Sequence, residues 1–297
     1  MIKNILVTGG AGYIGSHIVE TLIKKKYKVF IINNLSNGYK RLINKKAKFY
    51  NLDIRDKFKI AKIIKDNKID SVIHLAALLD VNESQSKPKK YYSNNINGTV
   101  NILNSIKKTS VKNFIFSSTA AVYKDGIYKV TEKSPLKPKS VYGKTKLKSE
   151  YFIKKLLDKQ KINYAILRYF NIVGASPSNK IGQINKYDLL FKNLSLATLK
   201  KRPLINIYGN DYNTSDKTCI RDFIHVSDIA DIHLKILQKI DNISKSVTLN
   251  CGYGKGRSVL EVVNSFIKNS KKDIKIIYKK RRLADLSQIV ANNNKLK

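Results

Sequence analysis

Cysteine is scarce in this sequence, and long apolar runs are missing. Two cysteines in 297 residues, Cys219 and Cys251, are too few for a disulfide framework, so we expect ordinary thiols and a reducing, cytoplasmic location. No apolar run reaches the length of a membrane-spanning helix, and the N-terminus leads at once into a predicted strand. We therefore expect no membrane segment and no signal peptide.

Acidic residues are also few, with 21 Asp and Glu against 58 Lys and Arg and a formal net charge of +37. Such an excess is typical of proteins that bind nucleic acids or other polyanions. Here the lysines are spread along the whole chain, without a dense basic tail or a basic stripe interleaved with aromatic residues. We therefore interpret them as solvated faces, predict no specific nucleic-acid partner, and expect at most faster association with an anionic substrate.

The most informative local pattern is a glycine turn near the N-terminus. The segment Gly9-Gly10-Ala11-Gly12-Tyr13-Ile14-Gly15 follows an apolar run, residues 5–7, and precedes a helical pattern over residues 16–24. This order and the G-x-x-G-x-x-G spacing form a variant of the dinucleotide-binding fingerprint. Gly9 permits the tight turn, Gly12 lets a ligand approach the backbone, and Gly15 lets the helix pack on the strand. The N–H groups of the helix start would then bind a pyrophosphate.

Strand and helix patterns alternate through the first half of the chain. Short apolar strands are predicted near residues 5–7, 28–32, 47–52, 71–75, 113–117 and 164–168, with helices near 57–68, 91–108 and 141–160. This alternation predicts an α/β fold with a Rossmann-type doubly wound parallel sheet, covered by helices on both faces. Ligands of such sheets bind beyond the carboxyl ends of the strands.

After Asn171 the pattern loosens. A polar stretch over 174–188 precedes predicted helices near 189–201, 226–239 and 258–269 and strands near 204–208 and 273–278. We predict a dinucleotide-binding domain over 1–171 and a smaller C-terminal substrate domain over 172–297. Segments near 220–235 and 248–252 are candidates for returning to the first domain.

Two asparagines, Asn33 and Asn34, follow the second predicted strand, where an acidic residue commonly holds the ribose hydroxyls of NAD. An amide can donate and accept hydrogen bonds, but it cannot repel a 2′-phosphate as a carboxylate does. We favour NAD and leave NADP open. Asp53 and Ile54 end the third predicted strand, where they could meet the adenine, and capping of the next helix is an equal alternative for Asp53.

The second strong pattern is Tyr142-Gly143-Lys144-Thr145-Lys146 at a predicted helix start. Tyr142 and Lys146 are four residues apart and share one helix face. A nearby ammonium stabilises a phenolate, so Tyr142 could act as a general base, and Lys146 could also bind the nicotinamide ribose. Upstream, Thr119 ends a predicted strand and offers a hydroxyl to a substrate oxygen, although strand-end capping would also explain it.

These patterns together resemble a family, the extended short-chain dehydrogenases/reductases, and among them the UDP-glucose 4-epimerases. The resemblance covers essentially the whole chain. It is carried by Thr8 to His17, His74 to Ala77, Tyr91 to Asn95, Phe116 to Tyr123, Tyr142 to Lys146, Leu167 to Asn171, Gly209 to Tyr212 and Ile220 to Val226.

The resemblance implies bound NAD, a UDP-sugar substrate, a homodimer and no metal. Tyr142 would take the proton of the sugar 4-hydroxyl, Lys146 would assist, and Thr119 would bind the same oxygen. By position, the implied cofactor contacts are Gly9, Gly12, Tyr13, Ile14, Gly15, Asn33, Asn34, Asp53, Ile54, Leu75, Ala76, Ala77, Asn94, Ser117, Tyr142, Lys146 and Phe170. The implied substrate contacts are Thr119, Asn171, Leu190, Tyr208, Arg221, Arg282, Asp285 and Ile289.

Several positions depart from the family pattern. Besides Asn33, Leu79 replaces a common lysine near the cofactor, Leu189 replaces an asparagine, and Lys124 replaces a glycine. The chain also ends early by comparison, which leaves a fragment or an inactive protein open. Ile289 is smaller than the tyrosine that restricts the pocket to plain hexoses, so we expect N-acetylhexosamines to fit as well.

Two alternatives to an epimerase remain. A 4,6-dehydratase or decarboxylase of the same superfamily would share the cofactor site, but Ala120 and Ala121 stand where a dehydratase usually has Asp and Glu. A non-catalytic NAD-binding protein would not need Tyr142, Lys146 and Thr119 together.

Overall fold

The computed structural model describes residues 3–185, 187–201, 203–242, 246–282 and 284–297. Its central feature is a parallel sheet with the strand order β3-β2-β1-β4-β5-β7-β11, numbered along the chain. These strands are β1 (Asn4–Thr8), β2 (Lys28–Ile32), β3 (Lys48–Tyr50), β4 (Ser71–His74), β5 (Asn113–Thr119), β7 (Asn163–Tyr169) and β11 (Val247–Cys251). The prediction of an α/β fold with a doubly wound parallel sheet is confirmed.

The helices lie between and around these strands. They are α1 (Tyr13–Lys24), α2 (Lys57–Asp66), α3 (Val81–Ser86), α4 (Pro88–Tyr91), α5 (Gly98–Ser105), α6 (Val141–Gln160), α7 (Leu190–Ala197), α8 (Val226–Lys239) and α9 (Val259–Ser270). A wide π-type segment, Tyr92–Asn97, joins α4 to α5. The helix predicted near 91–108 is therefore a composite element with an irregular first part.

Two apolar layers cover the sheet because side chains alternate along each strand. On one face Ile5 and Val7 pack with residues of α1 and α8, and the cluster includes Leu249 of β11. On the other face Leu6 packs with residues of α2, α5 and α6. Helix α8 and strand β11 thus complete the large sheet and its helical layer, whereas the predicted domain boundary at residue 171 stays a prediction.

The rest of the chain forms smaller sheets beside the carboxyl edge. Strand β10 (Ile220–His225) pairs with β12 (Gly256–Ser258), β14 (Gln288–Ala291) and β8 (Asn171–Val173), and β14 also pairs with β6 (Lys129–Val130). Strands β9 (Leu204–Tyr208) and β13 (Lys275–Lys279) pair in parallel, and residues of α7 and α9 pack in the same apolar cluster. Among the described residues, no helix is both long and apolar enough to cross a bilayer.

Candidate active site

A cavity of about 510 Å³ lies where the large sheet meets the smaller sheets. Such a size is ordinary for a ligand site. Most of the predicted site residues line it: Gly9, Gly12, Tyr13, Ile14, Gly15, Asn33, Asn34, Ile54, Leu75, Ala76, Ala77, Asn94, Ser117, Thr119, Tyr142, Lys146, Phe170, Asn171, Arg221, Arg282, Asp285 and Ile289. Three predicted residues, Asp53, Leu190 and Tyr208, do not line it.

The glycine turn forms one end of this cavity. Gly9 has a φ of +78°, and a Cβ there would lie 2.8 Å from the backbone nitrogen of Ala76. A Cβ on Gly15 would collide with the carbonyl oxygen of Gly9. Gly12 caps α1 without a side-chain hydrogen bond, and the first turn of α1 has no acidic residue. The turn and the helix start therefore fit a pyrophosphate, which the backbone N–H groups and the helix dipole would bind.

Polar residues after β2 build the end of the cavity that is predicted to hold the adenosine. Asn33 Oδ1 accepts a hydrogen bond from the Leu35 N–H at 2.7 Å, and Asn34 Nδ2 donates to Asp53 at 2.9 Å. Asp53 also accepts two hydrogen bonds from the Arg55 guanidinium, each at 2.8 Å. These bonds lower the pKa of Asp53 to about 2 and turn its carboxylate toward Arg55. Ile54 lines the cavity, whereas Asp53 is not among its lining residues and bonds to Asn34, which is.

Tyr142 lies in the first turn of α6, and this turn is fixed from outside the helix. The first N–H groups of a helix have no partner within it. Here Val141 donates to Gln85 Oε1 at 2.8 Å and Tyr142 donates to Ser84 Oγ at 3.1 Å. Ser140 caps the helix through the Gly143 N–H at 3.0 Å. The short helix α3 therefore holds the backbone of Tyr142, a role that its sequence does not indicate.

The phenol of Tyr142 faces Thr119 at the end of β5. Burial raises the pKa of Tyr142 to about 12, and the hydrogen bond with Thr119 opposes this rise. The ammonium of Lys146 donates to the Ser117 carbonyl at 2.6 Å and lies 4.7 Å from the ring centre of Phe116. The stabilisation of a Tyr142 phenolate by this ammonium stays a prediction.

Lys146 is almost completely buried, with 4% of its surface exposed. Burial lowers its pKa to about 7, and Glu150, one helical turn further on, opposes this shift. Glu150 is itself held by Arg168, which donates at 3.0 and 2.7 Å, and by Ser118. This ion pair, 2% exposed on both sides, ties α6 to β5 and β7 directly below the site.

The opposite end of the cavity carries two arginines. Arg221 on β10 donates to Asp285 at 2.7 Å and to the Leu286 carbonyl at 2.6 Å. Arg282 lies 4.0 Å from the ring centre of Tyr208 and donates to Asp188 at 2.5 Å. Guanidinium groups match the oxygens of a diphosphate, so this end suits an anionic ligand.

Two substrate predictions change in detail at this end. One ring face of Tyr208 is covered by Arg282, so Tyr208 lies behind that arginine and its implied contact with the substrate stays a prediction. Leu190 packs in the apolar cluster of α7 and α9, because it begins α7 on the inner face, and Leu189 lines the cavity instead. Asp188, which also lines the cavity, was missed because its polar, turn-rich segment carries no periodic pattern.

No group of three or more His, Cys, Asp or Glu side chains among the described residues could hold a metal ion. His74, behind the cavity, contacts Thr8 at 2.6 Å and Thr99 at 2.9 Å. Burial lowers its pKa to about 3, so it stays neutral and acts as a structural link between β1, β4 and α5.

Comparison with known proteins agrees with this geometry. The model of the NAD dependent epimerase/dehydratase family matches residues 5–252. A UDP-glucose 4-epimerase of Lactobacillus helveticus is 39% identical, over 98% of this chain and 89% of the relative.

Two solved structures are also similar. UDP-glucose 4-epimerase from Bifidobacterium longum, in complex with NAD+ and UDP, matches with a TM-score of 0.92 and 35% identity, over 99% of this chain and 91% of that one. The UDP-Glc/GlcNAc 4-epimerase from Campylobacter jejuni matches with a TM-score of 0.83 and 38% identity, over 99% of this chain and 92% of that one. The resemblance read from the motifs is confirmed, and the chain belongs to the NAD-dependent epimerase/dehydratase family.

Proposed function

We propose that the protein is an NAD-dependent UDP-hexose 4-epimerase that interconverts UDP-glucose and UDP-galactose. The observation that carries the proposal is the continuity of the cavity, which joins the glycine turn to Arg221 and Arg282 past Tyr142 and Thr119. A dinucleotide and a nucleotide sugar can therefore meet at the phenol. Relatives of similar sequence and fold, named UDP-glucose 4-epimerases, support the same activity.

The reaction needs a proton acceptor at the sugar 4-hydroxyl. NAD, when bound, supplies a reversible acceptor for the hydrogen on C4. Tyr142 Oη, in its phenolate form, takes the 4-hydroxyl proton, and the Thr119 hydroxyl holds the same oxygen in place. After the 4-keto sugar turns over in the cavity, Tyr142 Oη returns the proton. The product has the composition of the substrate and the opposite configuration at C4, so no co-reactant is consumed.

The remaining residues of the cavity would bind and orient the cofactor and the sugar nucleotide. Among the residues that line the cavity, the glycine turn would hold the dinucleotide pyrophosphate, Asn33 and Asn34 would hold the adenosine ribose, and Lys146 would hold the nicotinamide ribose. Arg221 and Arg282 bind the diphosphate of the sugar nucleotide, with Asn171 beside them on the cavity wall. Asp285 then serves twice, because it fixes Arg221 and offers its second oxygen to a ribose hydroxyl.

The structure argues against dehydration by the same site. Elimination of water from the sugar needs an acid and a base beyond Tyr142. The side chains that follow Thr119 in the cavity wall belong to Ala120 and Ala121, which cannot transfer protons. A nucleotide-sugar 4,6-dehydratase is therefore disfavoured on the chemistry of these two positions.

Assembly and location belong to the same proposal. We propose a cytoplasmic homodimer, in which the chain divides into a cofactor domain over 1–171 and a substrate domain over 172–297. The two buried, unpaired thiols of Cys219 and Cys251 suit a reducing compartment. Size-exclusion chromatography with light scattering would test the dimer directly.

The proposed activity is tested by incubating the purified protein with UDP-glucose or UDP-galactose and identifying the products by NMR. We expect interconversion in both directions. Tyr142→Phe should keep the ring packing and the bound NAD but lower turnover by about 10²–10⁴-fold, the usual contribution of a general base. Lys144→Met, an exposed neighbour on the same helix, is the matched control and should retain turnover. Turnover of Tyr142→Phe within threefold of the unmutated protein would exclude Tyr142 as the base.

A further inference from the structure

The adenosine end of the cavity contains no acidic side chain among its described lining residues. The residues there are Asn33, Asn34, Ser36, Asn37 and Gly38, together with apolar side chains and the glycine turn. The acidic residues that line the cavity, Asp80, Asp188 and Asp285, belong to other segments. A site selective for NAD usually places a carboxylate on the ribose 2′-hydroxyl, and the same carboxylate repels a 2′-phosphate.

The orientation of the Asn33 amide is fixed by chemistry. A backbone N–H can only donate, so the Asn33 atom that faces the Leu35 N–H at 2.7 Å must be the oxygen. Gly38 leaves room for this amide, since a Cβ there would lie 2.8 Å from Asn33 Oδ1. The side chain that lines the cavity therefore has its acceptor engaged with its own loop. Its Nδ2 is the group suited to an incoming ligand, and an amide N–H donates to a hydroxyl or a phosphate oxygen alike.

The nearest carboxylate, Asp53, is compensated by Arg55. Both Asp53 oxygens accept from the Arg55 guanidinium at 2.8 Å, and one also accepts from the Asn34 amide at 2.9 Å. The pair carries no net charge, and its Arg55 side chain is about half exposed at 53%. Asp53 therefore adds no uncompensated anion beside Asn34.

We infer that the cofactor site accepts a 2′-phosphorylated dinucleotide, NADP, as well as NAD. The observations that carry this inference are the engaged oxygen of Asn33, the compensated Asp53 and the lack of an acidic side chain among the described lining residues at this end. The inference deepens the proposed function by naming the range of its cofactor, and it concerns binding alone. It therefore stands or falls independently of which sugar is epimerised.

The test is a competition for the cofactor site. The purified protein is incubated with equal concentrations of NAD+ and NADP+, separated from free nucleotide and denatured, and the released nucleotides are quantified by liquid chromatography. We expect NADP to form a measurable fraction of the bound nucleotide. Asn33→Asp has nearly the same volume but adds a carboxylate and removes the donor, so the bound NADP-to-NAD ratio should fall at least tenfold.

A second variant tests whether charge, and not a change in folding, sets the bound NADP-to-NAD ratio. Asp53→Asn keeps the size of the side chain and releases Arg55 from its carboxylate, so the bound NADP-to-NAD ratio should rise. Lys144→Met, on the exposed face of α6, should leave the ratio unchanged. An unchanged ratio in Asn33→Asp, or a wild-type protein that retains only NAD, would overturn the inference. Because no sugar is present, either result leaves the test of epimerase activity unaffected.

Discussion

Lys146 should lower the free energy of unfolding of this protein, although it is one of the proposed active-site residues. Lys146 is 4% exposed, and burial lowers its pKa from 10.5 to about 7. Between these two values the unfolded chain binds the proton more tightly than the folded chain does. The free energy of unfolding therefore rises with pH from about 7 to 10.5, and the buried ammonium is destabilising at neutral pH.

The magnitude follows from two opposing effects. The lowered pKa corresponds to roughly 4 kcal/mol at pH 7, at about 1.4 kcal/mol for each pH unit between the two values. Replacement by methionine removes this cost but also removes the donor to the Ser117 carbonyl, which costs about 1–3 kcal/mol. Lys146→Met should therefore stabilise the nucleotide-free protein by about 1–3 kcal/mol at pH 7. At pH 9.5 the difference should shrink or reverse, because the folded wild type then holds a neutral amine.

The assay is urea unfolding of nucleotide-free protein at pH 7 and pH 9.5, followed by circular dichroism. Wild type, Lys146→Met and the exposed control Lys144→Met are compared at both values. The control should follow the wild type at both. A Lys146→Met protein that is less stable than wild type at pH 7, or one with the same pH dependence as wild type, would refute the reasoning. Its loss of epimerase turnover, measured in parallel, would show that stability is given up for function.

Three further predictions concern the site and the basic surface of the protein. Ser84→Ala removes the acceptor of the Tyr142 N–H and should lower kcat about tenfold with little change in KM, since misplaced catalytic groups cost rate; an unchanged kcat in steady-state kinetics would contradict this. Wild type should also interconvert UDP-GlcNAc and UDP-GalNAc, and Ile289→Tyr should lose this turnover selectively, because the larger ring excludes one substrate and spares the other; equal loss of both activities by NMR would speak against it. Binding to DNA should be weak, independent of sequence and steeply salt-dependent in fluorescence anisotropy, and a sequence-selective complex at submicromolar concentration would disprove it.

The sequence was sufficient to predict the strands of the large sheet because each strand is marked by a pattern of neighbouring residues. Each strand from β1 to β7 of this sheet is a short, mostly apolar run that the sequence pattern identifies. The glycine turn and the Tyr142–Lys146 spacing are local patterns as well, and the residues that they marked line the cavity. The third strand is shorter than expected, Lys48–Tyr50, because only three residues pair with β2.

The hydrogen-bond partners of these residues were not predictable in the same way. The hydrogen bond from Lys146 to the Ser117 carbonyl joins residues that are 29 positions apart in the sequence. The hydrogen bond from the Tyr142 N–H to Ser84 joins residues that are 58 positions apart. No periodicity in either segment indicates such pairing, since a buried donor can be satisfied by any carbonyl that the fold brings near. Sequence reasoning thus placed the phenol and the ammonium on one helix face, but it did not indicate that the Ser117 carbonyl accepts a hydrogen bond from the ammonium.

The two arginines of the substrate end show the same limit more sharply. Arg221 lies on β10, directly beside Ile289 of β14, and its neighbour Asp222 accepts from the N–H groups of Tyr253 and Ala291 at 2.9 and 3.1 Å. These contacts fix the position of Arg221 relative to Ile289, which lines the same cavity. Arg282 lies on a loop and is held by Asp188, a carboxylate that a diphosphate would have to replace. The resemblance proposed both residues as equals, whereas the structure holds Arg221 on a strand, with Asp285 and the Leu286 carbonyl as acceptors, and Arg282 on a loop, with Asp188 as acceptor.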